Sequence, residues 1–382
     1  MTLIRAATSR CGPDTRRRSP AQPLQCNPGN GPGPDETMRF TLSSGKSRPI
    51  GHGQNYPLHL LLFVATLFCT TWAGTFWLGK PAGLTEGVAG FIIGLKPGLP
   101  FSLSLVAFLS VHEFGHFFAA MAHRIRATLP YYIPVPPLPL MLNIGTMGAI
   151  ISIKEPFPDA ESLLDTGASG PLAGFAVALG LLVYGFLNLP PAGYIFAIHP
   201  EYLATGAIPN PAPPETLYLG KNLLFLLLET IIAPKNLPPM TELYHYPYLF
   251  AGWLGCLVTA LNLLPVGQLD GGHVVYALFG RRGHELTART FLILITILGL
   301  PSFSAGIAEL FTPGAAAAVP DLLLQWSWPG WMIWALILSR LLGTRHPSLT
   351  HNVRLSRGRR IAGWVCIAIF VLTFTPVPFG VV

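Results

Sequence analysis

The chain has 382 residues, of which 51% are hydrophobic and only 11% are charged. Soluble domains carry about 25% charged residues, so this composition excludes an ordinary cytosolic globular protein. The formal net charge is +7, but the basic residues lie at the ends of long apolar runs and form no single patch, which argues against nucleic acid as a partner. The sequence therefore predicts a multi-pass protein of the lipid bilayer.

Apolar runs near 20 residues long predict an all-α polytopic membrane protein with about seven transmembrane helices. Of the 24 lysines and arginines, 20 fall on one side of the membrane if the spans alternate. The positive-inside rule then predicts that the N-terminus is inside. A shorter apolar stretch, 222–232, is too brief to cross and is typical of a re-entrant or interfacial segment. The predicted spans are 58–79, 101–122, 168–188, 247–264, 287–306, 323–342 and 361–379, the fifth being the weakest because it contains Pro301.

The second span contains the sequence HEFGH, in which His112, Glu113 and His116 form an HExxH pattern. Residues four apart share one face of a helix, so both imidazoles can bind a single zinc ion. Glu113 is then placed to take a proton from a zinc-bound water. Ionisable groups inside an apolar helix are costly and mark function. The alternative is a hydrogen-bonded His–Glu cluster that links helices.

A catalytic zinc ion needs a third protein ligand, and Asp270 is the only carboxylate in or beside the fourth span. The alternation of spans puts it at the same side of the membrane as HEFGH. Pro265 and Gly267 break the helix there, and irregular backbone at membrane depth occurs where it is buried in protein or lines a cavity. From spacing alone, Asp270 is either this ligand or the cap of a short helix at 271–279.

The two motifs, in this order, resemble the site-2 proteases, which are intramembrane zinc metalloproteases. The resemblance rests on HEFGH and on the pattern N-x-x-P-x-x-x-x-D-G that follows it, formed by Asn262, Pro265, Asp270 and Gly271. It implies a three-helix metalloprotease core that holds one zinc ion per chain. The implied ligands are His112, His116 and Asp270, with Glu113 as the catalytic base and Asn262 as the residue that binds the substrate carbonyl or its oxyanion.

Two stretches between the motifs extend the resemblance. Residues 143–156 look like the family's membrane-associated β-hairpin, and their glycines, alternation and β-branched residues also favour a strand pair; an interfacial loop is the alternative. The edge of such a pair could bind an unwound substrate by strand addition. The run from 168 resembles the start of the third core helix, where Gly170, Ala173 and Gly174 let helices approach closely.

The similarity covers residues 100–280 and is strongest to the branch with plastid members and their bacterial relatives; no PDZ domain or CBS pair is visible. An Arg-rich beginning is also typical of an organellar transit peptide, and Met38 is an alternative start codon. The predicted regions are a disordered N-terminal segment (1–56), the first transmembrane helix and connector (57–100), the zinc metalloprotease core (101–280) and C-terminal transmembrane helices (281–382).

The resemblance implies hydrolysis of peptide bonds within or next to transmembrane segments of membrane-protein substrates, such as anti-sigma factors or remnant signal peptides. The alternatives are a metal-binding transporter and a catalytically inactive membrane scaffold. We expect the bacterial cytoplasmic membrane as the location, with an organellar membrane as the alternative.

Three other residues have two interpretations each, and one further segment has a single interpretation. His123 is either a residue at the membrane interface or a fourth ligand. His273 either supports the metal ligands or faces solvent or the interface. Glu229 is either a gate for substrate or a hydrated surface residue. The proline-rich run at 131–140 is interpreted as a rigid connector at the membrane surface.

Overall fold

The computed structural model describes residues 54–83, 87–137, 143–191, 193–343, 349 and 354–381. Residues 1–53 of the predicted disordered segment lie outside this part of the chain. Most of the described residues are helical. The helices, in chain order, are α1 (Tyr56–Trp77), α2 (Gly87–Gly94), α3 (Leu99–Ala122), α4 (Ala160–Leu187), α5 (Gly193–Ile198), α6 (Leu223–Ile232), α7 (Pro247–Asn262), α8 (Asp270–Phe311), α9 (Asp321–Leu324), α10 (Gly330–Ile337) and α11 (Arg357–Thr373).

Four segments within the described ranges are long and apolar enough to cross a membrane: Tyr56–Trp77, Gly87–Ala122, Ala160–Leu187 and Asp270–Phe311. Their outward-facing side chains include exposed leucines, isoleucines and phenylalanines. Such a surface is unfavourable in water and suits helices whose backbone groups are satisfied internally and whose side chains face lipid. The prediction of a mainly helical integral membrane protein is thus confirmed, while the number of seven spans stays a prediction.

The predicted sixth span, 323–342, is not one helix. The chain forms the short helices α9 and α10, and a π-helical turn at Leu338–Leu342 follows. Pro329 stands immediately before α10. Proline lacks an N–H donor and fits the beginning of a helix better than its interior, so a new helix starts there. The hydropathy pattern predicted one continuous span because both short helices are apolar.

Pro301 lies inside α8 without ending it. The neighbouring backbone groups find partners in the segment before α10: the Ser302 N–H donates to the Ser327 hydroxyl at 3.0 Å, and the Leu298 carbonyl accepts from the Trp328 N–H at 3.1 Å. These bonds replace those that a proline disturbs in a helix. A true break in α8 lies earlier, at Gly280, whose φ of 69° is non-helical.

α4 begins at Ala160, well before the predicted span at 168. The Asp159 carboxylate accepts from the Ser162 N–H at 2.8 Å, and the Ser162 hydroxyl lies near the Asp159 N–H, which forms a capping box. In the first turns, Glu161 and Asp165 form ion pairs with Arg359 of α11. Polar residues therefore extend the helix beyond the part that hydropathy detects.

Two small antiparallel sheets accompany the helices. β1 (Tyr131–Pro134) pairs with β2 (Thr146–Ile150), with Tyr132 opposite Ala149, and β3 (Leu217–Leu219) pairs with β4 (Phe379–Val381). The prediction of a hairpin inside 143–156 was wrong in its pairing, because that stretch supplies one strand only. Its partner, β1, lies in the run that was predicted as a connector. The prolines of that run argued against a strand there.

α4 is central to the packing and contacts α3, α7 and α8. The glycines on its face permit this close approach; for instance, a Cβ at Gly174 would lie 2.8 Å from His112 Nδ1 on α3. Apolar side chains of α3, α4 and α7 fill the space between these helices, among them Phe108, Leu182 and Phe250. The arrangement brings the middle of α3, the end of α7 and the beginning of α8 to one place.

Candidate metal centre

His112, Glu113 and His116 lie in the middle of α3, and none of them is more than 1% exposed. Because the two histidines are one helical turn apart, their rings point the same way. The His112 and His116 Nε2 atoms are 3.2 Å apart. Two imidazole nitrogens therefore face one small volume inside the protein.

Asp270 completes this cluster from a different helix. One of its oxygens, Oδ2, lies 3.5 Å from His112 Nε2 and 3.3 Å from His116 Nε2. The cap of α8 is Leu269, with no side-chain capping bond, and neither Asp270 oxygen accepts a hydrogen bond from a described residue although the side chain is fully buried. The geometry therefore contradicts the interpretation of Asp270 as a helix cap.

The turn between α7 and α8 places Asp270 beside the two histidines. α7 ends at Asn262, and the chain turns through Gly267, whose φ of 58° favours glycine. A Cβ at Gly271 would overlap the Leu263 backbone, so the turn closes tightly against the end of α7. The irregular backbone is buried within protein, as membrane depth requires.

The donor set suits zinc. Two imidazole nitrogens and one carboxylate oxygen are zinc ligands, and bonds of about 2.0–2.1 Å in a tetrahedron separate neighbouring ligand atoms by about 3.3 Å. The three separations in the cluster, 3.2, 3.5 and 3.3 Å, are close to this value. His112, His116 and Asp270 together could hold one metal ion.

Backbone groups of α4 orient His116. Its Nδ1 lies 2.6 Å from the Thr166 carbonyl, which can only accept, so Nδ1 carries the proton and Nε2 is left for the metal. A Cβ at Gly170 would overlap the same ring. The sequence predicted close helix contact at Gly170 and Gly174. In the structure, the groups that pack against these glycines are the side chains of His116 and His112. Thr166 acts through its carbonyl, which no side-chain pattern reveals.

Glu113 and Asn262 adjoin the cluster without belonging to the group that could hold the ion. Glu113 follows His112 directly and is as deeply buried. The Asn262 side-chain nitrogen lies 3.1 Å from His112 Nε2. The structure thus brings all five predicted site residues to one place, three with ligand atoms facing each other and two beside them.

The three other residues weighed in the sequence lie outside this group. His123 ends α3 and lies 2.8 Å from Asp165 Oδ2, far along the helix from the cluster. His273 is 2% exposed and packs against the Phe157 ring, so the interpretation that it faces solvent is wrong. Glu229 forms an ion pair of 2.7 Å with Lys221. None of the three contributes an atom to the metal cluster.

A model of one protein family, described as peptidase family M50, matches residues 100–300. This match covers more than half of the chain and includes every residue of the cluster. The chain belongs to peptidase family M50. This is the family of the site-2 proteases, so the resemblance found in the motifs is confirmed.

Curated relatives of this M50 chain are plant proteins. It is 31% identical over 220 residues to the probable zinc metalloprotease EGY1, chloroplastic, of Oryza sativa subsp. japonica, an alignment that covers 56% of this chain and 34% of the relative. For EGY1 of Arabidopsis thaliana the identity is 29% over 281 residues, covering 73% and 43%. For EGY2 of Oryza sativa subsp. indica it is 32% over 214 residues, covering 56% and 35%.

The chain thus spans less than half the length of these curated relatives. No solved structure matches it. The relatives confirm the predicted branch, the one with plastid members, and their names support zinc as the metal of the cluster.

Proposed function

We propose that this M50 chain is an intramembrane zinc metalloprotease that hydrolyses peptide bonds within or next to the transmembrane segments of membrane proteins. The observation that carries the proposal is that His112, His116 and Asp270 form a buried cluster. Glu113 lies next to His112 in the sequence. Three ligand atoms from two helices face one another at separations of 3.2–3.5 Å. Burying ionisable side chains at membrane depth is energetically costly, so their presence there indicates a functional site.

The roles of the residues follow from their positions. When bound, zinc supplies Lewis-acid polarisation of a carbonyl and activation of water. The two histidines and Asp270 hold the ion, and the Thr166 carbonyl keeps His116 in the tautomer that leaves Nε2 available. Glu113 takes the proton of the attacking water and passes it to the leaving amine, as a general base and then a general acid.

Asn262 is the residue that we assign to the developing oxyanion. Its amide lies 3.1 Å from His112 Nε2, next to the place where a scissile carbonyl would meet the ion. When His112 Nε2 binds the metal, it no longer pairs with the Asn262 amide, whose N–H groups are donors of the kind that an oxyanion requires. Donors preorganised in this way stabilise charge in the transition state more than in the ground state.

Replacing Asn262 by Ala is therefore expected to lower kcat by about 100-fold, the usual cost of removing one such donor. Zinc content should stay unchanged, since Asn262 is not a ligand. Single-turnover cleavage and elemental analysis of the same preparation measure both quantities. A variant with full kcat would remove Asn262 from the reaction, and one without zinc would make its role structural.

A groove of about 770 Å³ lies along α3, the helix that carries His112, Glu113 and His116. It lies between α1, α3 and β1, and its lining includes Phe63, Ser110 and Phe114. Ser110 also binds the Tyr132 hydroxyl of β1 at 2.7 Å. Since Ser110 and Glu113 are three residues apart on α3, they share one side of the helix. We propose this groove as the path of the substrate, whose unwound segment would add to an open edge of the β1–β2 pair.

The experiment that tests the function is cleavage of a single-span substrate by the purified chain in proteoliposomes. Full activity before chelation, loss after treatment with 1,10-phenanthroline and recovery on adding Zn²⁺ are expected. Cleavage that survives complete metal removal would overturn the proposal. Transport of Zn²⁺ across the same vesicles would favour the transporter; neither that alternative nor the inactive scaffold has support from the relatives.

The location and the substrates of the protein stay predictions. The word chloroplastic in the names of the relatives supports the organellar membrane as the alternative to the bacterial cytoplasmic membrane. Anti-sigma factors and remnant signal peptides are substrate classes that the membrane setting of the site suits. Localisation of a tagged full chain and comparison of the membrane proteome with and without the protein would test both.

A further inference from the structure

A second group of metal-binding side chains lies in the connection between α4 and α7. His199, Glu242 and His245 each offer one ligand atom, and these atoms lie within 4.8 Å of one another. The His199 and His245 Nε2 atoms are 3.0 Å apart, and Glu242 Oε2 lies 3.5 Å from each of them. The three residues are distant from HEFGH in the sequence and belong to no element of the first site.

The two groups have the same internal geometry. In both, two Nε2 atoms face each other, at 3.0 Å here and 3.2 Å in the first site, and one carboxylate oxygen lies 3.3–3.5 Å from each nitrogen. One tetrahedral zinc ion requires neighbouring ligand atoms about 3.3 Å apart. The second group therefore meets the same requirement for zinc as the first.

Neighbouring groups orient all three side chains. His245 Nδ1 lies 2.6 Å from the Trp77 carbonyl, His199 Nδ1 lies 2.8 Å from Glu201 Oε1, and the Tyr202 hydroxyl donates to Glu242 Oε1 at 2.8 Å. Each imidazole thus places its N–H on a carbonyl or a carboxylate. Histidines that bind metal are held in this way, with the other nitrogen left for the ion.

This arrangement leaves acceptor atoms facing one another. Where Nδ1 donates the ring proton to its carbonyl or carboxylate partner, Nε2 is the nitrogen that presents a lone pair. Glu242 Oε2 is buried and accepts no hydrogen bond from the described part of the chain. A cation at the centre would satisfy all three atoms at once.

We propose that His199, Glu242 and His245 form a second metal site, of the class that binds Zn²⁺. Two imidazoles with one carboxylate suit zinc better than calcium or magnesium, which prefer oxygen ligands. The His199 side chain is 25% exposed, whereas Glu242 and His245 are nearly buried, so the site opens to solvent on the His199 side and its remaining position can hold water. The ion would join the end of α1, through Trp77, to the turn before α7.

The first test is the zinc content of the full chain, purified in detergent and dialysed against metal-free buffer. The wild type should hold about two zinc ions per chain. Each of two double variants, His112→Ala/His116→Ala and His199→Gln/Glu242→Gln, should hold about one. Combining the four substitutions should leave none. His123→Gln is the matched control, because His123 also contacts a carboxylate at 2.8 Å but belongs to no such group of three among the described residues. The His123→Gln variant should hold two zinc ions.

Cobalt substitution tests the second site apart from the first. His112→Ala/His116→Ala protein loaded with Co²⁺ should show the intense visible absorption of a four- or five-coordinate ion. Adding Glu242→Gln, which can still accept from Tyr202, should remove it. One zinc ion in the wild type, together with no such absorption in the folded double variant, would overturn the proposal; the cluster would then be a histidine–carboxylate network with a proton in place of the ion.

Discussion

Glu113→Gln is expected to lower the rate of peptide-bond hydrolysis by about 10²- to 10⁴-fold, the usual contribution of a general base. The amide keeps the size of the carboxylate but cannot take a proton from water at neutral pH. Zinc should remain bound at the first site, because Glu113 lies outside the group whose atoms face the ion. Elemental analysis and a cleavage assay on the same preparation measure the two effects separately.

Glu229→Gln is the matched control for this substitution. Glu229 is also a carboxylate on an apolar helix, but it is one-third exposed and pairs with Lys221 on the surface. Pairs of this kind contribute about 0–1 kcal/mol to stability, so cleavage and zinc content should stay at wild-type levels. If Glu113→Gln cleaved as fast as the control, Glu113 would not be the base, and if it lost zinc, it would have to be counted among the ligands.

The part of the site that lies on one helix is predictable from the sequence. The long apolar run predicts a helix there. On a helix, the i, i+4 spacing places the His112 and His116 side chains on the same face. Asp270 is different, because its position depends on the turn at Gly267 and on the packing of α8 against α4. Spacing alone left Asp270 between ligand and cap, and the absent capping bond together with its distances to the two histidines separates the two interpretations.

Features that depend on contacts between distant segments were missed or misplaced. The partner of β2 lies in a proline-rich run, since one edge strand tolerates proline where a central strand does not. α8 continues past Pro301 because Ser327 and Trp328, from another segment, take over backbone bonds. His199 and the pair Glu242 and His245 are more than forty residues apart, and only the Glu-x-x-His spacing of the last two could have drawn attention to them.

Gly170→Ala is the second substitution for which we expect a large effect, namely weaker zinc binding at the first site and slower cleavage with it. The added Cβ would overlap the His116 ring. The ring cannot turn away at low cost, because its Nδ1 is held by the Thr166 carbonyl at 2.6 Å and its Nε2 is a ligand atom. Disturbing the groups that orient a ligand typically weakens metal binding by about 10- to 100-fold, and a direct overlap should reach the upper end of this range.

Two glycines of the same helix supply the comparison. A Cβ at Gly174 would lie 2.8 Å from His112 Nδ1, whereas at Gly180 it would meet nothing within 4 Å. Zinc affinity should therefore fall most for Gly170→Ala, less for Gly174→Ala and not at all for Gly180→Ala. Because alanine favours the helix in all three, helix propensity cannot produce this order. Competition with a zinc chelator measures the affinities; equal values for Gly170→Ala and Gly180→Ala would mean that His116 does not need the space that the glycine leaves.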